Sequence, residues 1–131
     1  MRTGRHEFER TVAEALDQLP EQFAELMSDV VVQTSDEPEP EMVADVGLDP
    51  DEDSLFGFYA GVPLEDRGGF YGNVLPDVIY LFRGPLNRAS STSEELVRSI
   101  QLTLLHEIGH HFGLSDDDMA AWEHELKLGE E

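Results

Sequence analysis

His106, Glu107 and His110 fall at the end of an apolar run with helical spacing, and that placement constrains the chain more than any other feature. Two histidines four residues apart on a helix share one face, with Cβ atoms about 5–6 Å apart. Imidazoles leaning over that gap can hold one Zn²⁺ at about 2.0–2.1 Å per bond. Glu107 is rotated by about 100° from His106, so it stays beside a shared ion without ligating it. That is the place for a base acting on water held by the metal.

The local signals predict that this stretch is helical. Ser91 and Thr92 offer N-caps, Thr92-x-x-Glu95 forms a capping box, and Leu96, Ile100, Thr103, Leu104 and Phe112 continue at helical spacing. Gly113 is the expected left-handed stop. A catalytic zinc takes three protein ligands and keeps one position open, so a third donor must come from beyond the helix. Gly113 lets the chain double back at no steric cost, and Asp116, six residues after His110, is then within reach of the ion. Asp117 and Asp118 compete for that role. Both also read as first-turn acids of a last helix capped by Ser115, where the helix dipole alone favours them. Met119, Trp122 and Leu126 would form that helix's apolar stripe. His111, turned about 100° from His110, reads as a packing or surface residue, and His6 and His124 as solvated positions on other helices. The plainer reading of the whole motif is a buried helix whose histidines merely satisfy their neighbours.

Elsewhere, Phe8, Val12, Ala15, Leu16 and Leu19 predict an amphipathic first helix ending at Pro20. Val30-Val31-Val32 reads as a strand. Residues 33–54 hold nine acids, three prolines and no base, which predicts a solvated, flexible acidic loop. Asp49-x-Asp51-x-Asp53 begins like a calcium-binding EF-hand loop, but Ser54 stands at its glycine position and Ala60 at its bidentate glutamate. Leu55–Tyr59 and Asp77–Phe82 are strand-like, joined by a Gly-rich connection from Gly61 to Leu75. The sum is α+β over a single domain, 1–131: an N-terminal helix, a small three-stranded sheet, an active-site helix and a short C-terminal helix. Either Leu55–Tyr59 or Asp77–Phe82 could be an edge strand that pairs with extended peptide. Tyr59, Tyr71 and Tyr80 are candidate donors to a developing oxyanion.

Composition limits the partners. The 131 residues carry a formal net charge of −21, which argues against nucleic acid or an anionic membrane, since both demand basic patches. No cysteine is present, which excludes disulfides and a thiolate zinc site. The N-terminus lacks the apolar core of a signal peptide and no run approaches the ~18 apolar residues of a membrane span. A cytoplasmic protein compatible with a monomer is the expectation.

The H-E-x-x-H-x-x-G-x-x-D pattern over His106–Asp116 resembles that of the zincin metallopeptidases, and within them the metzincin group. More closely, the chain resembles the small bacterial zincin-like metallopeptidases with a minimal zincin fold. The likeness extends to Leu19–Phe23 before Val30–Val32, to Leu55–Leu64 and to Leu75–Leu86. Metzincins proper place a methionine turn well downstream of the third ligand, whereas only fifteen residues follow Asp116 here. The resemblance implies one zinc held by His106, His110 and Asp116, Glu107 as general base, and hydrolysis of peptide bonds in a peptide or protein substrate. Two other expectations stand beside it: a zinc-stabilised binding module with little or no turnover, and an acidic interaction protein in which the motif is incidental.

Overall fold

The computed structural model describes residues 2–28, 30–45, 47–48, 55–60, 77–113 and 115–128, without the side chains of 110–112, 116, 122 and 125–128. In chain order the elements are α1 (Arg5–Asp17), α2 (Glu21–Leu26), β1 (Val30–Ser35), α3 (Pro40–Asp45), β2 (Gly57–Ala60), β3 (Asp77–Phe82), α4 (Arg83–Ala89), α5 (Ser93–Phe112) and α6 (Asp116–Leu128). The arrangement is α+β, as the sequence predicts.

The sheet is mixed, in the order β1-β3-β2. β1 runs parallel to β3 with Val30 opposite Asp77, and β2 runs antiparallel to it with Gly57 opposite Leu81. β3 is therefore interior, and its DVIYLF sequence alternates buried and half-buried positions before closing on two buried residues. Ile79 and Leu81, both 0 % exposed, meet Leu96, Ile100, Leu104 and Ile108 of α5 and Phe8, Val12 and Ala15 of α1 in one core. Burying a side chain of this size contributes about 1.5–3 kcal/mol, so the central helix is anchored over most of its length. Gln101 adds a buried tie, donating from Nε2 to the Ala15 carbonyl at 3.1 Å.

Both ends of α5 are made as the sequence predicts. The Glu95 N–H donates to Thr92 Oγ1 at 3.1 Å, and the Glu95 carboxylate accepts from the Ser91 N–H at 2.7 Å. Gly113 takes φ +67°, a conformation that costs a side-chain-bearing residue roughly 1 kcal/mol or more. The chain then reverses into α6, whose start is fixed reciprocally: the Asp118 N–H donates to Ser115 Oγ at 3.1 Å, and the Ser115 N–H to Asp118 Oδ2 at 3.4 Å. Met119 is half-buried, and the side chains of Trp122 and Leu126 lie outside the described residues.

Three departures from the sequence reading concern order where little was expected. Pro20 ends one helix and opens another, since its carbonyl accepts the Ala24 N–H at 2.9 Å as α2 begins. α4 forms with Gly84 and Pro85 in its first turn, where a missing N–H leaves no bond unmade. The acidic stretch 33–54 is not wholly loop: Gln33–Ser35 extend β1 by pairing with Tyr80–Phe82, and Pro40–Asp45 form α3. Residue 46 and residues 49–54, with Asp49, Asp51 and Asp53, and the Gly-rich connection after Ala60 lie outside the described residues.

Bases from elsewhere hold the acidic stretch in place. Asp36 accepts from Arg5 at 2.7 Å and from Arg83 at 3.0 Å, while Glu37 takes both terminal nitrogens of Arg88 at 2.9 and 3.0 Å. Arg83 also donates to the Thr3 carbonyl at 2.6 Å, tying the N-terminus to α4. The hydrogen bond from Arg5, then that from Arg83, holds the Asp36 carboxyl below the usual carboxylate range. A carboxyl whose folded pKa is depressed stabilises the fold above the unfolded value of about 3.9 and loses that contribution as pH falls through the folded value. Asp36→Asn is therefore expected to lower the urea midpoint at pH 7, with the difference from the parent closing below about pH 4. An equal difference at both pH values would show that charge is not the cause.

Candidate metal centre and substrate cleft

The side of α5 opposite Leu104 and Ile108 carries a second row of residues that meets β2. Taking about 100° per residue, Ser99, Thr103 and His106 fall within about 60° of one another, while Leu104 and Ile108 point to the opposite side. The members of this row open onto a cleft. It has a volume of about 360 Å³ and is lined by Leu55, Phe56 and Gly57 on the sheet side and by Ser99, Leu102, Thr103, His106 and Glu107 on the helix side. Its size is that of a small ligand pocket. The walls are mostly apolar, and His106 and Glu107, adjacent on α5, are the two ionisable residues among those lining it.

Gly57 sets the width of the cleft. A Cβ at this position would lie 2.6 Å from Thr103 Cγ2 and 3.0 Å from the Tyr80 carbonyl oxygen. The Thr103 hydroxyl donates to the Ser99 carbonyl at 2.7 Å, and its methyl meets β2. Glycine thus lets the strand lie directly against the helix that carries the histidines. Gly57→Ala is expected to cost about 1–3 kcal/mol through this overpacking, read as a lower thermal midpoint. Adding Thr103→Ser, which removes the opposing methyl, should recover part of the loss; no recovery would place the strain at Tyr80 alone.

β3 is bonded on both sides, so Asp77–Phe82 is excluded as the peptide-pairing edge. Among the described residues no strand pairs with the outer edge of β2, so of the two candidate strands it is β2, beside the cleft, that is an edge strand. Tyr59 donates its hydroxyl to Asp77 Oδ2 at 2.8 Å, bracing β2 against β3. Neither Tyr59 nor Tyr80 is among the residues lining the cleft, and Tyr71 lies outside the described residues.

Of the residues the sequence singles out, His106 and Glu107 stand together in the cleft wall, His106 with a side chain 51 % exposed. His110 sits one turn further along α5, and Asp116 is the first residue of α6. Their side chains lie outside the described residues, and among the described side chains no cluster of three metal-ligating residues forms. Asp118 is engaged in the α6 cap, and Asp117 is exposed in the first turn, in keeping with helix-start roles. His6 and His124 are exposed.

One residue near the centre was not singled out by the sequence. Glu123 of α6 places Oε1 3.2 Å from His106 Nε2. The imidazole that the motif assigns to a metal thus faces a carboxylate and not the apolar core. Imidazole nitrogen and carboxylate oxygen are both zinc donors, so the groups present fit that ion. The exposure of His106 speaks against a buried position for it, while the contact itself is one that a histidine satisfying its neighbour also makes.

A family model described as zincin-like metallopeptidase matches residues 27–126. Among solved structures, a conserved hypothetical protein from Thermo thermophilus has a similar fold, with a TM-score of 0.53 and 23 % identity, over 84 % of this chain and 94 % of that one. No curated protein matches the sequence.

Proposed function

Because the chain belongs to the zincin-like metallopeptidase family, we propose that it is a zinc-dependent peptidase acting on peptide or protein substrates. The observation that carries this reading is the position of His106 and Glu107 in the wall of a mostly apolar cleft beside an edge strand. In this reading His106, His110 and Asp116 hold the metal. A bound zinc would supply Lewis acidity toward the scissile carbonyl and the attacking water. Glu107 takes the water's proton and delivers it to the leaving amine. The outer edge of β2 pairs with the substrate main chain, and Leu55, Phe56 and Leu102 receive an apolar side chain next to the scissile bond.

A second reading, a zinc-stabilised binding module without appreciable turnover, draws support from Glu123. A structural zinc site is closed by a fourth protein ligand, and a carboxylate lies beside His106. Digestion of a broad peptide library with and without chelator separates the two. The peptidase reading expects cleavage next to apolar residues, abolished by chelator and restored by zinc. A zinc-loaded protein that cleaves nothing would leave the binding module.

A further inference from the structure

We infer that Glu123 is itself a ligand of the metal centre, reaching it from α6. This rests on the zinc part of the reading above: in a centre that turns over substrate Glu123 would be the donor that yields its place to water, and in a structural one it would be the permanent fourth ligand. It names a donor that lies outside the His106–Asp116 motif.

The distance is the first argument. Two donors bound to one zinc at about 2.0–2.1 Å, at a tetrahedral angle, stand about 3.3 Å apart. Glu123 Oε1 and His106 Nε2 are 3.2 Å apart, so one ion can bridge them with little movement of either side chain. A hydrogen bond has a similar length, and the choice of nitrogen separates the two. A carboxylate that merely orients a metal-bound histidine takes the ring nitrogen that the metal leaves unused. Glu123 meets Nε2, at the tip of the ring and furthest from the α5 backbone.

The second argument is energetic. The His106 and Glu123 side chains are 51 % and 33 % exposed. An ion pair that open to solvent is worth about 0–1 kcal/mol, so exchanging it for shared coordination of a cation gives up little.

The third is the build of the α5–α6 hairpin. The Gly113 reversal and the Ser115 cap start α6 at Asp116. Seven residues at about 100° each bring Glu123 to within about 20° of two full turns from Asp116. The two acidic positions therefore share one side of α6, the side whose Glu123 touches α5. Asp117 and Asp118, turned away from it, are exposed.

The test uses metal-free wild-type protein, Glu123→Gln and Glu123→Ala. Zinc affinity is read by competition with a chromophoric chelator, and the coordination sphere by the visible spectrum of bound Co²⁺. Wild type is expected to take up one ion per chain. Both variants should bind zinc at least about tenfold more weakly, with altered cobalt bands and an unchanged far-ultraviolet spectrum of the metal-free protein. Should the alanine variant fail to fold, the isosteric glutamine variant decides alone. Wild-type affinity within twofold and superimposable cobalt spectra in the glutamine variant would overturn the role of Glu123 and leave the zinc reading intact. A wild-type protein that binds neither zinc nor cobalt would overturn both.

Discussion

Glu107→Gln is expected to lower peptide turnover by about 10²–10⁴-fold while leaving zinc content unchanged. Glutamine keeps the size and the acceptor oxygen of glutamate but cannot take a proton. Glu107 lines the cleft, half-buried and next in sequence to His106, with the core-facing Ile108 at 0 % exposure fixing the helix behind it. The substitution should therefore disturb neither the fold nor the metal. Parallel metal analysis and peptide assays check both halves. Turnover at the wild-type rate in a zinc-loaded glutamine variant would remove Glu107 from the chemistry.

His110→Ala is expected to have the largest effect on the metal itself. On α5 it is the partner of His106 across one turn, and its loss would leave a single imidazole from the motif to hold the ion. The variant should be isolated without zinc and without activity, while its metal-free form melts at the temperature of metal-free wild type. Since zinc stabilises only the state that binds it, added zinc should raise the melting temperature of wild type and not of the variant. An equal rise in both would show that His110 is not a ligand.

The helix at the centre of these predictions was legible because every signal for it is local. Thr92 and Glu95 mark its start, Leu96, Ile100 and Leu104 its buried side, and Gly113 its stop. The Ser115–Asp118 cap was legible for the same reason. The acidic stretch was misread because its order comes from partners far away in sequence. β1 continues through Gln33–Ser35 only because β3 offers a ladder, and Asp36 and Glu37 are held by Arg5, Arg83 and Arg88. Pro40, at the first position of α3, was a usable signal for that helix, outweighed by the density of charge around it.

The same distinction divides the candidate site. Spacing alone sets His106, Glu107 and His110 in relation to one another, because one helix carries all three. Which of the two strands is an edge could not be read, since alternation is the same in an edge strand and an interior one; only the order β1-β3-β2 decides it. Glu123 was missed because its approach to His106 is made across the helix hairpin and not along one helix. Its one sequence trace is the seven-residue step from Asp116, a weak sign in a chain with 29 acidic residues.

Native mass spectrometry of the wild-type chain, purified without added metal, tests the central claim most directly. One zinc per chain is expected, lost to a chelator and absent when His106 and His110 are both replaced by alanine. A wild-type chain that stays metal-free when zinc is supplied, or a double variant that keeps its zinc, would contradict it.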